Sequence, residues 1–270
     1  MKRISHAIVA ALMFAAPAAQ AADMALKAPP PVAPAWTWTG FYVGLNLGGA
    51  WGNSSYALLP SADWAGTPPP NAQTQLAGDG LATLHMSSVS AGGQVGYNWQ
   101  VSNVVFGGEA DIQYIGLRKT NVFTQNGPLG VAIATPYIIT ESSRSDWMAT
   151  IRGRLGLAAG RVLLYGTGGV AFADSQSADT LSFPTLRPAA TFTGTGARSS
   201  VQTGWTAGGG VEWAFNDHWT AKAEYLYARF PTSTTGMTAI NAGLFNTGFR
   251  QAYSDRLAVN LARLGLNYKF

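Results

Sequence analysis

The sequence predicts an all-β protein, an eight-stranded antiparallel up-and-down transmembrane β-barrel with short periplasmic turns and long extracellular loops. Three observations support this fold class. Only 11% of the 270 residues are charged and 47% are hydrophobic, yet the mean hydropathy is close to zero at +0.07. Eight segments alternate apolar and polar residues with a period of two, which is typical of strands with one apolar face. The connections between these segments alternate between short and long, as in outer-membrane barrels.

The composition excludes several other classes of protein. Soluble domains usually carry about 25% charged residues, and both disordered chains and coiled coils need high charge. The sequence also contains 9 Trp, 10 Tyr and 12 Phe, which further excludes intrinsic disorder. Because there is no cysteine, disulfides, thiolate nucleophiles and cysteine-based metal sites are excluded.

The N-terminal segment 1–21 is predicted to be a secretory signal peptide. Lys2 and Arg3 precede a short apolar stretch, and Ala19 and Ala21 form an A-x-A cleavage site. Cleavage removes two of the 17 basic residues and none of the 13 acidic ones, so the formal charge falls from +4 to +2. The basic balance is therefore no argument for a nucleic-acid partner, and we expect none.

The remaining chain is predicted to consist of a Pro-rich periplasmic segment at 22–36 and an outer-membrane β-barrel at 37–270. The prolines favour an extended tether without a core of its own. A ligand of the PxxP type is the alternative interpretation of this segment.

The eight strands are predicted from their alternation. In the first, Phe41, Val43 and Leu45 share one face while Tyr42 and Asn46 share the other. Each strand has about the 9–11 residues that a tilted transmembrane strand needs. In chain order the predicted strands are 41–48, 88–99, 104–117, 146–158, 162–173, 202–215, 219–227 and a last strand that ends at 270.

Two details complete the strand prediction. In the fifth strand Leu163 and Leu164 compete for the apolar face, so its orientation is left open. The connections are tight turns at 100–103, 159–161 and 216–218, and long polar loops at 52–85, 118–145, 174–201 and 228–256. An even number of strands places both termini on the side of the short turns.

Most tryptophans fall on the apolar face of their strands and near strand ends. Amphipathic rings favour the two interfaces between membrane and water, where barrels carry aromatic girdles. We expect an upper girdle near the long loops and a lower girdle near the short turns, and Phe270 belongs to the lower one. The tryptophans are Trp51, Trp147 and Trp205 in the upper girdle, and Trp99, Trp213 and Trp219 in the lower girdle.

The polar faces of the strands carry nearly balanced charges that are predicted to point into the lumen. An eight-stranded barrel is narrow, which favours a network of paired charges that plugs the lumen. A charge-lined ion pathway is the alternative. The predicted network comprises Glu109, Asp111, Arg152, Arg154, Glu212, Lys222, Glu224 and Arg263; Lys269 shares their face but lies at the strand end.

Four sequence stretches resemble a known family. WTGFYVG at 38–44, GWTAGGGVE at 204–212, KAEYLY at 222–227 and GLNYKF at 265–270 are similar to the small outer-membrane immunogenic proteins, porin-like relatives of the outer membrane protein A barrel. The resemblance implies an eight-stranded, monomer-sized surface barrel that is often antigenic and is linked to envelope integrity. It brings no catalytic residues.

The last strand also resembles the C-terminal signal by which outer-membrane barrels are recognised for assembly. Arg263, Gly265, Tyr268 and Phe270 supply the pattern of a polar residue, a glycine and two aromatic residues. A free edge strand can be captured by strand addition, so the barrel-assembly machinery is an expected partner. An ordinary amphipathic strand that ends in Phe is the alternative.

The predicted function is that of a structural surface protein in the outer membrane of a Gram-negative bacterium. Expected partners are outer-membrane lipids and an environmental or host ligand on the loops, and a monomer is expected rather than a trimer. The alternatives are a small-solute diffusion pore, a soluble barrel of lipocalin type with an apolar interior, and an enzyme at the outer rim built from His85, Asp79 and Ser87. No catalytic, metal or cofactor site is predicted, since neither His85 nor His218 has a partner at metal-ligand spacing.

Overall fold

The computed structural model describes residues 36–61, 72–126, 136–187, 190–238 and 251–270. The predicted signal peptide and nearly all of the predicted Pro-rich segment lie outside these ranges. Among the residues that the structure describes, no helix is long and apolar enough to cross a membrane.

The described chain forms one antiparallel sheet that closes on itself. Each strand pairs with its neighbour in sequence, and pairing of the first strand with the last completes the ring. The elements are β1 Gly40–Pro60, α1 Ala72–Asp79, β2 Leu81–Val101, β3 Val104–Gln125, β4 Tyr137–Ala159, β5 Val162–Arg187, β6 Ala190–Ala214, β7 Trp219–Arg229, β8 Ser233–Gly236 and β9 Gln251–Lys269.

The nine strand segments make eight barrel strands. Both β7 and β8 pair with β9, and Pro231 lies in the break between them, where a residue without an N–H cannot continue the ladder. The segments β7 and β8 therefore form the seventh strand of the ring. The predicted fold class, an eight-stranded antiparallel up-and-down barrel, is confirmed.

The strands are longer than predicted. Much of 52–85, 118–145 and 174–201, which the sequence predicts to be loops, is strand in the structure, and β5 alone has 26 residues. Crossing a membrane takes about 9–11 tilted residues, so the barrel continues well beyond the membrane on the side of the long connections. Polar residues on both faces hid these segments, because alternation of apolar and polar residues marks a strand only where one face meets lipid.

Side chains of the lower barrel alternate between lipid and lumen. Leu45 and Ile151 point outwards and are 73% and 64% exposed, while Arg152 points inwards and is buried. In the fifth strand Leu164 faces outwards and Leu163 is buried inside, which settles the orientation that the sequence leaves open.

Two register shifts interrupt the ladders just above the membrane-spanning part. One lies between Tyr114 and Leu117 on β3, and the other lies between Arg144 and Met148 on β4. Gly116 adopts a left-handed φ of 49° at the first shift, where a Cβ atom would lie 2.6 Å from the ring of Tyr114. Such bulges bend the strands that carry them.

The interior is layered along the barrel axis. Near the short turns, Trp38, Leu163 and Tyr165 belong to a small apolar cluster. Next come the buried charges described below, and above them lies an apolar layer that includes Leu226 and Leu261. A second apolar cluster closes the upper end, where α1 inserts Ala72 and Leu76. The apolar layer consists of Ala50, Met86, Ile115, Leu117, Met148, Ala171, Ala173, Leu226, Ala228, Phe230, Leu257, Val259 and Leu261.

Candidate functional site

The lower lumen contains a charge network formed by the eight residues Glu109, Asp111, Arg152, Arg154, Glu212, Lys222, Glu224 and Arg263. Arg152 lies at its centre. Its Nη2 lies 2.5 Å from Glu109 Oε1 and 2.7 Å from Asp111 Oδ2, and its Nη1 lies 3.1 Å from Glu224 Oε1. One guanidinium thereby joins carboxylates from β3 and β7 across the barrel.

Arg263 on β9 closes the network from the opposite side. Its Nη2 lies 2.5 Å from Glu224 Oε2 and 3.2 Å from Asp111 Oδ2. Its Nη1 donates a hydrogen bond of 3.0 Å to Gln113 Oε1. Asp111 and Glu224 therefore each contact both central arginines.

The other two cations bind at the lower edge of the network. Lys222 Nζ lies 2.9 Å from both carboxylate oxygens of Glu109. Arg154 Nη2 donates to Glu212 Oε2 at 2.7 Å. All eight side chains of the charge network are buried, each with a relative exposure of 6% or less.

Strand register explains why these residues meet. Glu109 lies opposite Arg152 in the β3–β4 ladder, and Glu224 lies opposite Arg263 in the β7–β9 ladder. Glu212 likewise lies opposite Lys222 between β6 and β7. Opposite charges at such cross-strand positions attract each other directly, and two of these three pairs, Glu109–Arg152 and Glu224–Arg263, form ion pairs in the structure.

The network contains four acidic and four basic side chains. At an effective dielectric constant near 20, one contact at about 4 Å is worth roughly 4 kcal/mol before desolvation. Burial of the ions offsets much of this gain. The balance of charges nevertheless means that no ion of the network is left uncompensated, and the side chains occupy the narrow lumen that an eight-stranded barrel provides.

Sequence reasoning missed several members of this site. Tyr42 donates to Glu109 Oε2 at 2.7 Å, and Tyr165 donates to Glu224 Oε1 at 2.9 Å. The guanidinium of Arg154 stacks 4.0 Å from the centre of the Tyr165 ring. The alternation of β1 places Tyr42 on the polar face, so strand parity is the signal that could have identified it.

Uncharged polar side chains also support the network. Asn267 donates to Glu212 Oε1 at 2.8 Å, and Thr150 donates to Asp111 Oδ2 at 2.7 Å. Gln94 bridges Asn46 and Asn267 in the same buried region. These bonds satisfy carboxylate lone pairs that the cations leave open.

The apolar layer corrects the expectation that the inward face is polar throughout. Leu226 lies two positions above Glu224 on the same face of β7, and Leu261 lies two positions from Arg263 on β9. Both leucines are fully buried. The lumen is therefore closed twice, by paired charges and by an apolar layer, and this second closure has no counterpart in the charge pattern of the sequence.

An acidic layer, formed by Glu141, Asp179 and Asp255, lies in the upper lumen outside the membrane-spanning segments. All three side chains are buried. Burial, together with the nearby carboxylates of Glu141 and Asp255, raises the pKa of Asp179 to about 8. Burial also raises the pKa of Glu141 and that of Asp255, although Arg198 opposes the shift at Asp255. In the part of the chain that the structure describes, Asp179 Oδ2 and Asp255 Oδ1 have no hydrogen-bond partner.

The tryptophans predicted to form girdles lie on the outer surface, apart from the half-buried Trp147. Exposure is 42% for Trp51 and 51% for Trp205 at the upper level, and 49% for Trp99 at the lower level. Neighbouring rings extend both levels. Trp205 lies 5.4 Å from Tyr227, and the remaining lower rings are grouped near the strand ends, including Trp213, Trp219 and Phe270.

The residues of the proposed C-terminal signal lie in different environments. Arg263 is part of the charge network, and a Cβ atom on Gly265 would lie 2.9 Å from the side chain of Lys222. Tyr268 packs against Trp219, and Phe270 is 69% exposed. Lys269 Nζ donates to the Thr37 carbonyl rather than joining the network.

The residues of the alternative rim enzyme have separate hydrogen-bond partners. His85 Nδ1 lies 2.7 Å from Asn53 Oδ1, while Asp79 accepts a hydrogen bond from Tyr137. Among the described residues, these contacts take His85 to β1 and Asp79 to β4, and they do not bring the two side chains together as a catalytic pair. The described ranges also contain no group of three His, Asp or Glu side chains that could hold a metal ion.

Comparison with known proteins decides the family. The sequence model of the family described as "outer membrane protein beta-barrel domain" matches residues 7–270. The chain belongs to this family. It is thus an outer-membrane β-barrel protein of Gram-negative bacteria, as the sequence predicts.

Two sequence relatives agree with this assignment. A 31 kDa outer-membrane immunogenic protein of Brucella melitensis is 32% identical over 278 residues, which cover 100% of each chain. A 22 kDa outer membrane protein of Rhizobium leguminosarum is 27% identical over 242 residues, covering 89% of this chain and 82% of the relative. The crystal structure of OprG from Pseudomonas aeruginosa aligns with a TM-score of 0.49 and 11% identity, covering 87% of this chain and 98% of that one.

Proposed function

We propose that this outer-membrane barrel is a closed structural protein of the envelope whose upper strands and loops act as a surface for interactions, including recognition as an antigen. The observation that carries the proposal is the filled lumen. Four acids and four bases are buried in mutual contact, and the apolar layer lies directly above them. A lumen filled in this way has no place for a continuous column of water.

The long upper strands supply the second part of the proposal. They extend the barrel beyond the upper girdle, and their outer faces carry polar residues such as Thr120, Ser142 and Gln176. A rigid polar sheet that projects from the membrane is suited to contact other molecules. The immunogenic names of the relatives support this role.

No enzymatic step is part of the proposal. The chain's relatives are named as outer-membrane immunogenic proteins rather than as enzymes. Outer-membrane lipids, the barrel-assembly machinery and an environmental or host ligand are the proposed partners, and the proposed form is a monomer.

The small-solute pore is the competing function, and uptake of sugars by liposomes separates the two. Liposomes that contain the refolded barrel are diluted into isotonic solutions of small sugars, with liposomes that contain an open general porin as the positive control. We expect no swelling above that of empty liposomes. Swelling that depends on sugar size would instead establish a pore.

The envelope role is tested in a strain that lacks the chain. Such a strain should be more sensitive to detergents, and both the full barrel and a variant with shortened upper strands should restore resistance. Antibodies raised against the purified barrel should bind intact cells only of the strain with the full barrel. Unchanged detergent resistance in the deletion strain would contradict the envelope role.

A further inference from the structure

The upper part of β3 forms an open edge of the sheet. From Leu117 to Gln125 this strand pairs with β4 on one side. On the other side, the ladder with β2 ends at the pair Ala91 and Tyr114, although β2 continues upwards to Leu81. No other described strand pairs with this side of β3. We call the free side of residues 117–125 the β3 edge.

The bulge of β3 explains why the two strands separate. It lies between Tyr114 and Leu117, and its Gly116 adopts the left-handed φ of 49°. A bulge bends the strand that carries it and increases the local twist, so β3 turns away from β2 at the level where their ladder ends. Within the described chain, the N–H and C=O groups that point away from β4 therefore have no strand partner.

The pattern of burial shows that the β3 edge is uncovered. None of the residues 118–125 is buried, whereas every second residue of the facing β4 segment 137–145 is. Lys119 belongs to the lumen-facing row, opposite the buried Ser143, and is nevertheless exposed. On the outer face, Val122 is 60% exposed. Another molecule can thus reach the backbone of β3 from the side of β2.

The β3 edge lacks most of the features that protect exposed edges. Proteins usually shield such edges with proline, charged side chains or a covering segment. The β3 edge contains no proline, and its two charged residues, Arg118 and Lys119, both lie at its lower end. Above them, Thr120, Val122 and Thr124 are β-branched residues, which favour strand structure. The upper part of the edge is therefore a template on which a further strand can form.

We propose that the β3 edge binds an extended segment of another protein, which adds to the sheet as an antiparallel strand. Only a polypeptide backbone presents donors and acceptors at the spacing of the free groups, so the edge selects an extended peptide over a glycan or a lipid. Antiparallel pairing is the more stable arrangement. The proposal rests on the interaction surface of the proposed function, because it requires that the upper strands project from the membrane.

The charges at the lower end of the β3 edge specify one end of the peptide. The side chain of Arg118 is 62% exposed, and its contact with Asp146 is a long one of 3.9 Å. Acidic residues opposite Arg118 and Lys119 would form attractive cross-strand pairs, while β-branched residues fit opposite Thr120 and Val122. Because β3 runs upwards, the C-terminal end of an antiparallel peptide lies at these cations. The expected partner segment thus has β-branched residues followed by acidic ones.

The upper part of β6 is a less suitable edge. Its ladder with β7 also ends early, at the pair Trp205 and Arg229. Above this level, however, Thr195 accepts a hydrogen bond from the backbone N–H of Thr238 and donates its own N–H to the hydroxyl of that residue. This contact covers part of the β6 edge, so β3 is the better template.

The test uses the full-length barrel refolded in phosphatidylcholine vesicles and a fluorescent peptide of sequence TVTVTVED. One control peptide has the same sequence but is N-methylated at every second residue, which removes the donors that face one neighbouring strand. A second control peptide has the reversed sequence, so that its acidic residues come first. Binding is measured by fluorescence anisotropy with the unmodified chain and with the double variant R118Q/K119Q.

We expect the N-methylated peptide to bind at least about tenfold more weakly, because it loses several backbone hydrogen bonds while its charge is unchanged. The double variant should bind the unmodified peptide roughly fivefold more weakly, since two exposed charge pairs are lost. Equal binding of the N-methylated peptide would overturn strand addition. Equal binding of the reversed peptide would overturn the antiparallel orientation.

Cross-linking locates the bound peptide on the barrel. Because the chain contains no cysteine, the Thr120→Cys variant can form a disulfide only with a peptide that carries a cysteine. With that cysteine placed at successive peptide positions, the yield should alternate with a period of two, as in a strand. The matched control is Ala178→Cys, an exposed residue of β5 whose strand is paired on both sides. Equal cross-linking of the two variants would overturn the proposed location.

Separate measurements distinguish failure of this proposal from failure of the proposed function. Heat-modifiable migration in gels establishes that each variant is folded. Sugar uptake by the same vesicles tests the closed lumen, and antibody binding to intact cells tests whether the upper strands face the outside. A folded, closed and surface-exposed barrel that does not bind the peptide would overturn strand addition alone.

Discussion

The guanidinium of Arg152 lies 2.7 Å from the carboxylate of Asp111, and neither side chain has any exposed surface. The two residues come from neighbouring strands, β4 and β3. Arg152 also contacts Glu109 and Glu224, so its single positive charge compensates carboxylates on both sides of the lumen. Arg263 contacts the same three carboxylates, so these two arginines together join the acids of the lower lumen.

Replacement of Arg152 by Met should destabilise the barrel strongly. Removing one partner of a buried ion pair leaves uncompensated carboxylates and costs about 3–5 kcal/mol. The free energy of unfolding can be measured by urea titration of the protein in lipid vesicles, followed by tryptophan fluorescence.

Replacement of Arg161 by Gln is the matched control for this measurement. Arg161 also forms a close ion pair, with Asp217 at 2.5 Å, but the two side chains are 43% and 74% exposed. Exposed pairs contribute at most about 1 kcal/mol. Equal losses of stability in the two variants would mean that the buried network has no special role.

Two adjacent glycines of β1 provide a second prediction. A Cβ atom on Gly48 would lie 2.7 Å from Arg263 Cα and still closer to the carbonyl oxygen of Ala262. Since these are backbone atoms, the Gly48→Ala variant should lose about 1–3 kcal/mol of unfolding free energy through overpacking. Gly49 has no atom within 4 Å of its Cβ position, so Gly49→Ala should fold with unchanged or higher stability. A larger loss for Gly49→Ala than for Gly48→Ala in urea titrations would contradict the orientation of β1.

A third prediction concerns pH. The pKa of Asp179 rises to about 8 in the folded protein, because burial and nearby carboxylates disfavour its charged form. An acid whose pKa is raised on folding stabilises the fold fully below its unfolded pKa, near 3.9, and this contribution is lost as the pH rises through about 8.

Hydrogen exchange of the upper strands is the measurement for this prediction. Backbone amides of β5 near Asp179 should become less protected, relative to the membrane-spanning strands, as the pH is raised from 6 to 9 after correction for intrinsic exchange rates. The Asp179→Asn variant should show a weaker dependence on pH. The same dependence in that variant would exclude Asp179 as its cause.

The fourth prediction tests the C-terminal signal. Deletion of Phe270 should lower the amount of folded barrel in outer-membrane fractions, because the last strand must be captured during assembly. The Phe41→Leu variant is a suitable control, since Phe41 contacts Phe270 but lies outside the signal. Normal folded yield after the deletion would reject an assembly role for Phe270.

Strand parity predicts the membrane-spanning part of the barrel from the sequence but not the strand segments above it. Apolar residues that face lipid alternate strictly with lumen residues, so runs such as that of β1 identify themselves. The upper halves of β4, β5 and β6 lack this contrast because water surrounds their outer face. Serine and threonine residues on both faces made these segments resemble loops.

Strand parity also predicts the members of the charge network but not the uncharged side chains that pack around them. Parity placed Glu109, Arg152 and the other charged residues on one face, and the structure brings all eight into one cluster. Strand parity does not predict that Tyr165 stacks on Arg154, since that contact depends on packing across the lumen. The apolar layer was also missed, because the prediction of the lumen considered only the charged residues, although Leu226 and Leu261 share the strand face of Glu224 and Arg263.

Single-channel recording of the refolded protein in planar lipid bilayers tests the central claim, a lumen closed by buried ion pairs and an apolar layer, most directly. We predict that the protein inserts without steady conductance steps, while an open general porin recorded under the same conditions gives them. Reproducible, long-lived conductance steps from the folded, heat-modifiable form of this protein would contradict the closed lumen.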